Sequence, residues 1–127
     1  MTATASRAVA LATSGTLVAF QTALAAGAPW GAAAWGGQHP GALPTRLRMS
    51  SAASAVVLGG VVATLATGDP TSTARRRVLR GTALLLAPSV LANAASPSPY
   101  ERYGWAPFGA VLVASLLATS QQPTRAR

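Results

Sequence analysis

The sequence predicts an all-α protein, one domain spanning residues 1–127 and built as a bundle of four transmembrane helices. Three observations predict it. Half of the residues are hydrophobic and only 9% are charged, against about 25% charged in a soluble domain. The few charges stand at the borders of long uncharged stretches. The tryptophans and tyrosines gather in two places rather than being spread along the chain.

The charge spacing defines the elements. No Asp, Glu, Lys or Arg stands between Arg7 and Arg46. The later uncharged stretches, residues 49–68, 81–100 and 103–124, are 20, 20 and 22 residues long. A helix needs about 20 apolar residues to cross the hydrocarbon core, and a charge at its centre costs about 3 kcal/mol on insertion scales. Four helices are therefore expected near residues 8–28, 51–67, 78–95 and 105–120. All four are rich in Ala, Gly, Ser and Thr, and none shows the period-two alternation of a strand. Small residues at four-residue spacing, Ala19, Ala23 and Gly27 and again Ala110, Ala114 and Ala118, suit close helix approach. Gly59-Gly60 and Pro88 are candidate bends, and Pro107 falls in a first turn, where proline is tolerated.

A cleaved signal peptide is the competing reading of the first segment. Arg7 would be its basic region and Ala23-Leu24-Ala25 its cleavage pattern. The apolar stretch is long for that role and carries Gln21, which favours a retained helix.

Arginine supplies all the positive charge and sets the orientation. With the N-terminus in the cytoplasm, the inner face holds Arg7, Arg75, Arg76, Arg77, Arg80, Arg125 and Arg127, and the outer face holds Arg46, Arg48 and Arg102. Seven against three places both termini in the cytoplasm and the protein in the cell membrane. Trp30, Trp35, Tyr100, Tyr103 and Trp105 then share the outer face, where amphipathic rings favour the interface. The loop at residues 29–50 is the longest, and its Gly, Pro and Trp content suits a segment lying on or dipping into the membrane.

Composition narrows the function. The chain has no cysteine, one histidine and two acids, so thiolate chemistry and a disulfide framework are excluded, and no catalytic set, metal site or cofactor loop is visible. The high pI comes from a few arginines between spans, not from a nucleic-acid-binding face. Three groups of polar residues stand out. Arg75, Arg76, Arg77 and Arg80 form a basic cluster read as a cytoplasmic loop between helices, a topology signal and a contact for anionic lipid headgroups. Gln21 and Asn93 are amides inside spans, expected to glue helices or to line a solute path. His39, Arg46, Arg48, Glu101 and Arg102 are expected to gather outside, with Glu101 paired to Arg46 or Arg48 and so latching the first outer loop to the second.

Two stretches carry a resemblance. Gly36-Gly37-Gln38-His39-Pro40 with Leu43-Pro44-Thr45-Arg46-Leu47-Arg48, and Asn93-Ala94-Ala95-Ser96 with Glu101-Arg102-Tyr103-Gly104-Trp105-Ala106-Pro107, resemble small uncharacterised four-span membrane proteins of high-GC Gram-positive bacteria. That resemblance implies a topology and no activity. The expected role is structural or accessory, with a partner in the membrane or a second copy of the chain. A small-solute transporter or channel formed by an oligomer is the alternative, and a membrane-embedded enzyme using His39 and Glu101 ranks last.

Overall fold

The computed structural model describes residues 2–121. Four helices carry the fold: α1 (Ala3–Ala25), α2 (Thr45–Thr67), α3 (Thr73–Ala94) and α4 (Ala106–Ser120). Two short 3-10 turns, Gly31–Ala33 and Trp35–Gly37, shape the first loop, and a π-helical turn, Glu101–Trp105, leads directly into α4. The structure is 80% helical with no strand among the described residues, as the all-α expectation requires.

Three helices begin earlier than charge spacing suggests, and each has a local cause. The Thr2 hydroxyl accepts the Ala5 N–H at 3.1 Å and starts α1 ahead of Arg7. Pro44, extended at φ −63° and ψ 155°, starts α2 and accepts the Arg48 N–H at 3.0 Å. The Ser72 hydroxyl accepts the Arg75 N–H at 3.2 Å and starts α3. The Thr2 and Ser72 hydroxyls satisfy orphan donors of a first turn. The arginines at 46 and 48, and those at 75, 76, 77 and 80, therefore ride on helices. The basic cluster is the start of α3, which corrects its reading as a loop.

That shift changes the membrane count. Ala3–Ala25, Thr45–Thr67 and Glu101–Ser120 are long and apolar enough to cross a bilayer. Helix α3 is not in that group. Its arginines occupy the first two turns and leave Gly81–Ala94 uncharged, about 21 Å of helix against a core of about 30 Å.

The helices alternate in direction. Helix α1 packs along α2 and against α4, and α4 packs along α3. Although consecutive, α2 and α3 scarcely touch. At the turn end, where Gly68–Ser72 joins these two, all four helices converge. Ala10, Val61, Leu65, Leu79, Ala83, Leu112 and Leu116 form one buried cluster there. A smaller cluster at the loop end joins Leu24, Ala34 and Leu43, with Phe20 and Leu47 against them.

Buried hydroxyls fill the remaining helix interfaces. Thr13 donates to the Val9 carbonyl, Ser115 to Leu112, Thr119 to Ser115 and Ser120 to Leu117, at 2.7–2.8 Å. Such back-bonding lets a small polar residue enter a tight contact without an orphaned group. Outside the bundle, Leu84, Leu85 and Leu91 of α3 are 71%, 69% and 72% exposed, and Val56 of α2 is 76% exposed. An apolar exterior of this kind matches lipid better than water.

Candidate binding cavity and the polar knot above it

The gap between α2 and α3 opens into a cavity of about 890 Å³ in the loop-end half of the bundle. Its floor includes Leu112 of the convergent cluster, and its roof includes Ala33–Gly36, Ser96 and Pro97. The walls are mainly apolar, and Gln21 of α1 and Asn93 of α3 both line them. The structure thus places both amides in the lining of one cavity. Gln21 is half-buried, and its Oε1 is buried with no hydrogen-bond partner.

Aromatic rings form one side. Phe20 lies 4.5 Å from Trp105, centroid to centroid, and Trp105 meets Phe108 edge-on at 5.3 Å. Trp30 stacks on Phe20 at 6.1 Å with planes 7° apart, extending the series into the first loop. Trp35 lines the cavity from above, and its indole N–H donates to the buried Ser51 hydroxyl at 3.1 Å. The Trp35 indole thereby keeps a large apolar face beside the cavity.

Glu101 sits where roof and wall meet and is 5% exposed. Its Oε1 accepts the Gly36 N–H at 3.0 Å, and its Oε2 accepts the Ser96 hydroxyl. The Ser98 hydroxyl donates to the Ala32 carbonyl at 2.7 Å, and the Ser98 N–H donates to Ser96 Oγ at 3.1 Å. These bonds tie the first loop to the chain between α3 and α4. Gly37 belongs to the same knot: its φ is +69°, and a Cβ there would lie 2.9 Å from that of Ser98. Gly31 is held as closely, since its Cβ would fall 1.7 Å from the His39 carbonyl oxygen.

The latch between the two loops is therefore present but built differently from the expected ion pair. Among the described residues, no arginine pairs with Glu101. Arg48 turns to the end of α1, its Nε donating to the Ala25 carbonyl at 3.0 Å. Arg102 donates from Nε and Nη2 to the Ser96 carbonyl at 3.0 and 2.8 Å, just past α3, and lies over the Tyr103 ring at 5.8 Å. Arg46 and His39 are exposed on the surface. The anticipated outer cluster thus divides into a knot holding Glu101 and Arg102, a helix cap made by Arg48, and two free surface residues.

Arg48 has a counterpart at the turn end. Arg7 donates to the Leu65 carbonyl at 2.7 Å and the Ala66 carbonyl at 3.0 Å, at the end of α2. Neither α1 nor α2 has a basic residue in its own last turn. Each helix instead supplies, from its first two turns, the cation that caps its antiparallel neighbour. Carbonyls at a helix C-terminus favour positive charge, so the pair of arginines offsets both exposed ends.

The rest of the basic cluster behaves less uniformly. Arg77 and Arg80 are exposed and Arg76 is half-buried. Arg75 is only 4% exposed, lies against Gly68, and its Nε has no hydrogen-bond partner. Within the cluster, only Arg77 and Arg80 are exposed. Beside them, Asp69 accepts both the N–H and the hydroxyl of Thr71 at 2.8 Å. These bonds hold its carboxyl below the usual carboxylate range. Arg125 and Arg127 lie outside the described residues.

Sequence reasoning missed Ser96, Ser98 and Gly36, whose roles depend on two distant loops meeting. It also missed the aromatic wall, for which the helical spacing of Trp105, at the end of the π-helical turn, with Phe108 and Leu112 of α4 was an available signal. Among the described residues, no three His, Cys, Asp or Glu side chains come together as a metal site would need. No family model matches the chain, and neither a curated protein nor a solved structure is detectably similar to it.

Proposed function

We propose that the chain is a four-span protein of the cell membrane, with both termini cytoplasmic, that serves as a non-enzymatic binding or accessory protein. Its working part is the cavity between α2 and α3, which receives a small apolar molecule from the bilayer.

The cavity is the single observation that carries this reading. It is apolar, of the size of ordinary ligand sites, and opens between two helices that barely touch. It is also floored and roofed. Along α2 it runs only from Ala53 to Leu58, about one and a half turns. That suits a molecule, whereas a partner helix needs a groove along the whole bundle.

Chain direction supports the fourth crossing. Helices α2 and α4 run the same way, so the chain must return across the bundle between them, and α3 is the segment that does so. Its terminal arginines can extend to the headgroups while their stems stay in the apolar zone. Arg7, Arg75, Arg76, Arg77 and Arg80 share the turn end, in keeping with a cytoplasmic face there, where Arg77 and Arg80 meet anionic lipid. Reporter fusions after residues 40, 69, 102 and 127 should read outside, inside, outside, inside. A reading of the same side at 69 and 102 would remove the crossing by α3.

A photoreactive aryl diazirine dissolved in the bilayer tests the cavity. It should label Phe108 saturably, and labelling should fall when Leu58 is replaced by tryptophan. Labelling confined to outward Leu84 and Leu91, without saturation, would sink the binding role.

A second reading, passage of a small solute through an oligomer, draws on the convergence of Gln21 and Asn93. Unchanged flux in vesicles after replacing both with leucine would end it.

A further inference from the structure

Among the described residues, no cation forms an ion pair with the buried carboxylate of Glu101. The residue is 5% exposed, and its partners are one backbone N–H and one hydroxyl. Those two bonds use about half of its acceptor capacity, and neither carries a compensating charge. Arg48 and Arg102 donate to the backbone carbonyls of Ala25 and Ser96. A buried charge is costly unless something pairs with it, and Glu101 is one of the residues that line the cavity.

The surroundings say what kind of group could pair with it. Phe20, Trp35, Trp105 and Phe108 line the same cavity. Aromatic faces attract cations, most strongly where water is excluded, and cages of such rings recognise quaternary centres. A metal ion would need several oxygen or nitrogen ligands, and Glu101 is the sole carboxylate among the lining residues. One acid sets the charge at +1, and the apolar walls and lateral opening set the rest of the molecule. The geometry points to a monovalent lipophilic organic cation as the occupant, held between the Glu101 carboxylate and the aromatic wall. This rests on the cavity reading above and adds the charge of the ligand.

The full chain in nonionic detergent is dialysed to equilibrium against tetraphenylphosphonium, and separately against its uncharged isostere tetraphenylsilane, with protein-free micelles as background. The expected result is one cation per chain, bound at least about tenfold tighter than the silane. Glu101→Gln keeps an acceptor oxygen for the Gly36 N–H, and its amide NH2 can donate to the Ser96 hydroxyl oxygen in place of accepting from it; it should bring the two affinities together while leaving that of the silane unchanged. Should that variant fail to fold, the wild-type comparison of the two probes still decides. Silane bound as tightly as the cation would overturn the cation proposal and leave the cavity reading standing. Failure of both probes to bind would overturn both.

Discussion

The two ends of this bundle are held together by different means. At the turn end, leucine, valine and alanine from all four helices interlock around Leu65, Leu79 and Leu116, each fully buried. At the loop end, the helices spread, and beside the small Leu24, Ala34 and Leu43 cluster closure depends on two hydrogen bonds to the first loop, Gly36 N–H to Glu101 and the Ser98 hydroxyl to Ala32, with Ser96 donating to Glu101 behind them. The difference teaches where a small membrane bundle can make room. Side-chain packing leaves no space, because every contact requires close approach. A hydrogen-bonded lid spans a gap without filling it, so the cavity lies beneath the polar knot.

Substitutions can break that contrast in order of size. Leu116→Ala removes a buried side chain from the convergence and should cost about 3 kcal/mol, read as lower resistance to denaturant and loss of all four helices together. Glu101→Ala orphans the Gly36 N–H and the Ser96 hydroxyl. It should cost about 2 kcal/mol, with hydrogen exchange rising at residues 31–37 and little change at the turn end. Equal exchange at both ends after Glu101→Ala would abolish the distinction.

The arginine caps sharpen the comparison, because one lies at each end of the same helix pair. Arg7→Met and Arg48→Met should each cost about 1 kcal/mol, visible as fraying of the carbonyl end of α2 and of α1 respectively. Arg75→Met should be neutral or stabilising by about 1 kcal/mol, since a largely buried side chain whose Nε has no hydrogen-bond partner is replaced by an apolar chain of similar length. A loss of several kcal/mol there would mean that Arg75 has an acceptor in the membrane.

The smallest effect concerns pH. The carboxyl of Asp69 has its folded pKa lowered by the Thr71 hydrogen bonds. Its stabilisation is complete above the unfolded carboxylate value and disappears as pH falls through the lower folded value. Denaturation midpoints across the acid range should therefore lose part of their pH dependence in Asp69→Asn.

Much of this was legible in one dimension. Charges absent from 20-residue stretches marked where helices belong, because the cost of a charge in hydrocarbon depends only on depth. The starts of α2 and α3 were not legible in that way. Pro44 and Ser72 open helices ahead of arginines, and a guanidinium that caps a neighbour or reaches the headgroup region is tolerated on a helix. Residue type also marked Gln21, Asn93 and Glu101 as unusual without assigning partners to them.

The sequence alone, then, determined the class of fold, the number and approximate place of the helices and the gathering of aromatic rings near two loops. These follow from composition and periodicity, which act within one segment at a time. Only the tertiary structure decided that α1 takes α2 and α4 as neighbours, that α2 and α3 stand apart, and that Glu101 faces a backbone amide instead of an arginine. Such choices depend on contacts between residues far apart in sequence, 23 positions for Ala25 and Arg48 and 65 for Gly36 and Glu101, and nothing in either local segment records which distant partner will be in reach.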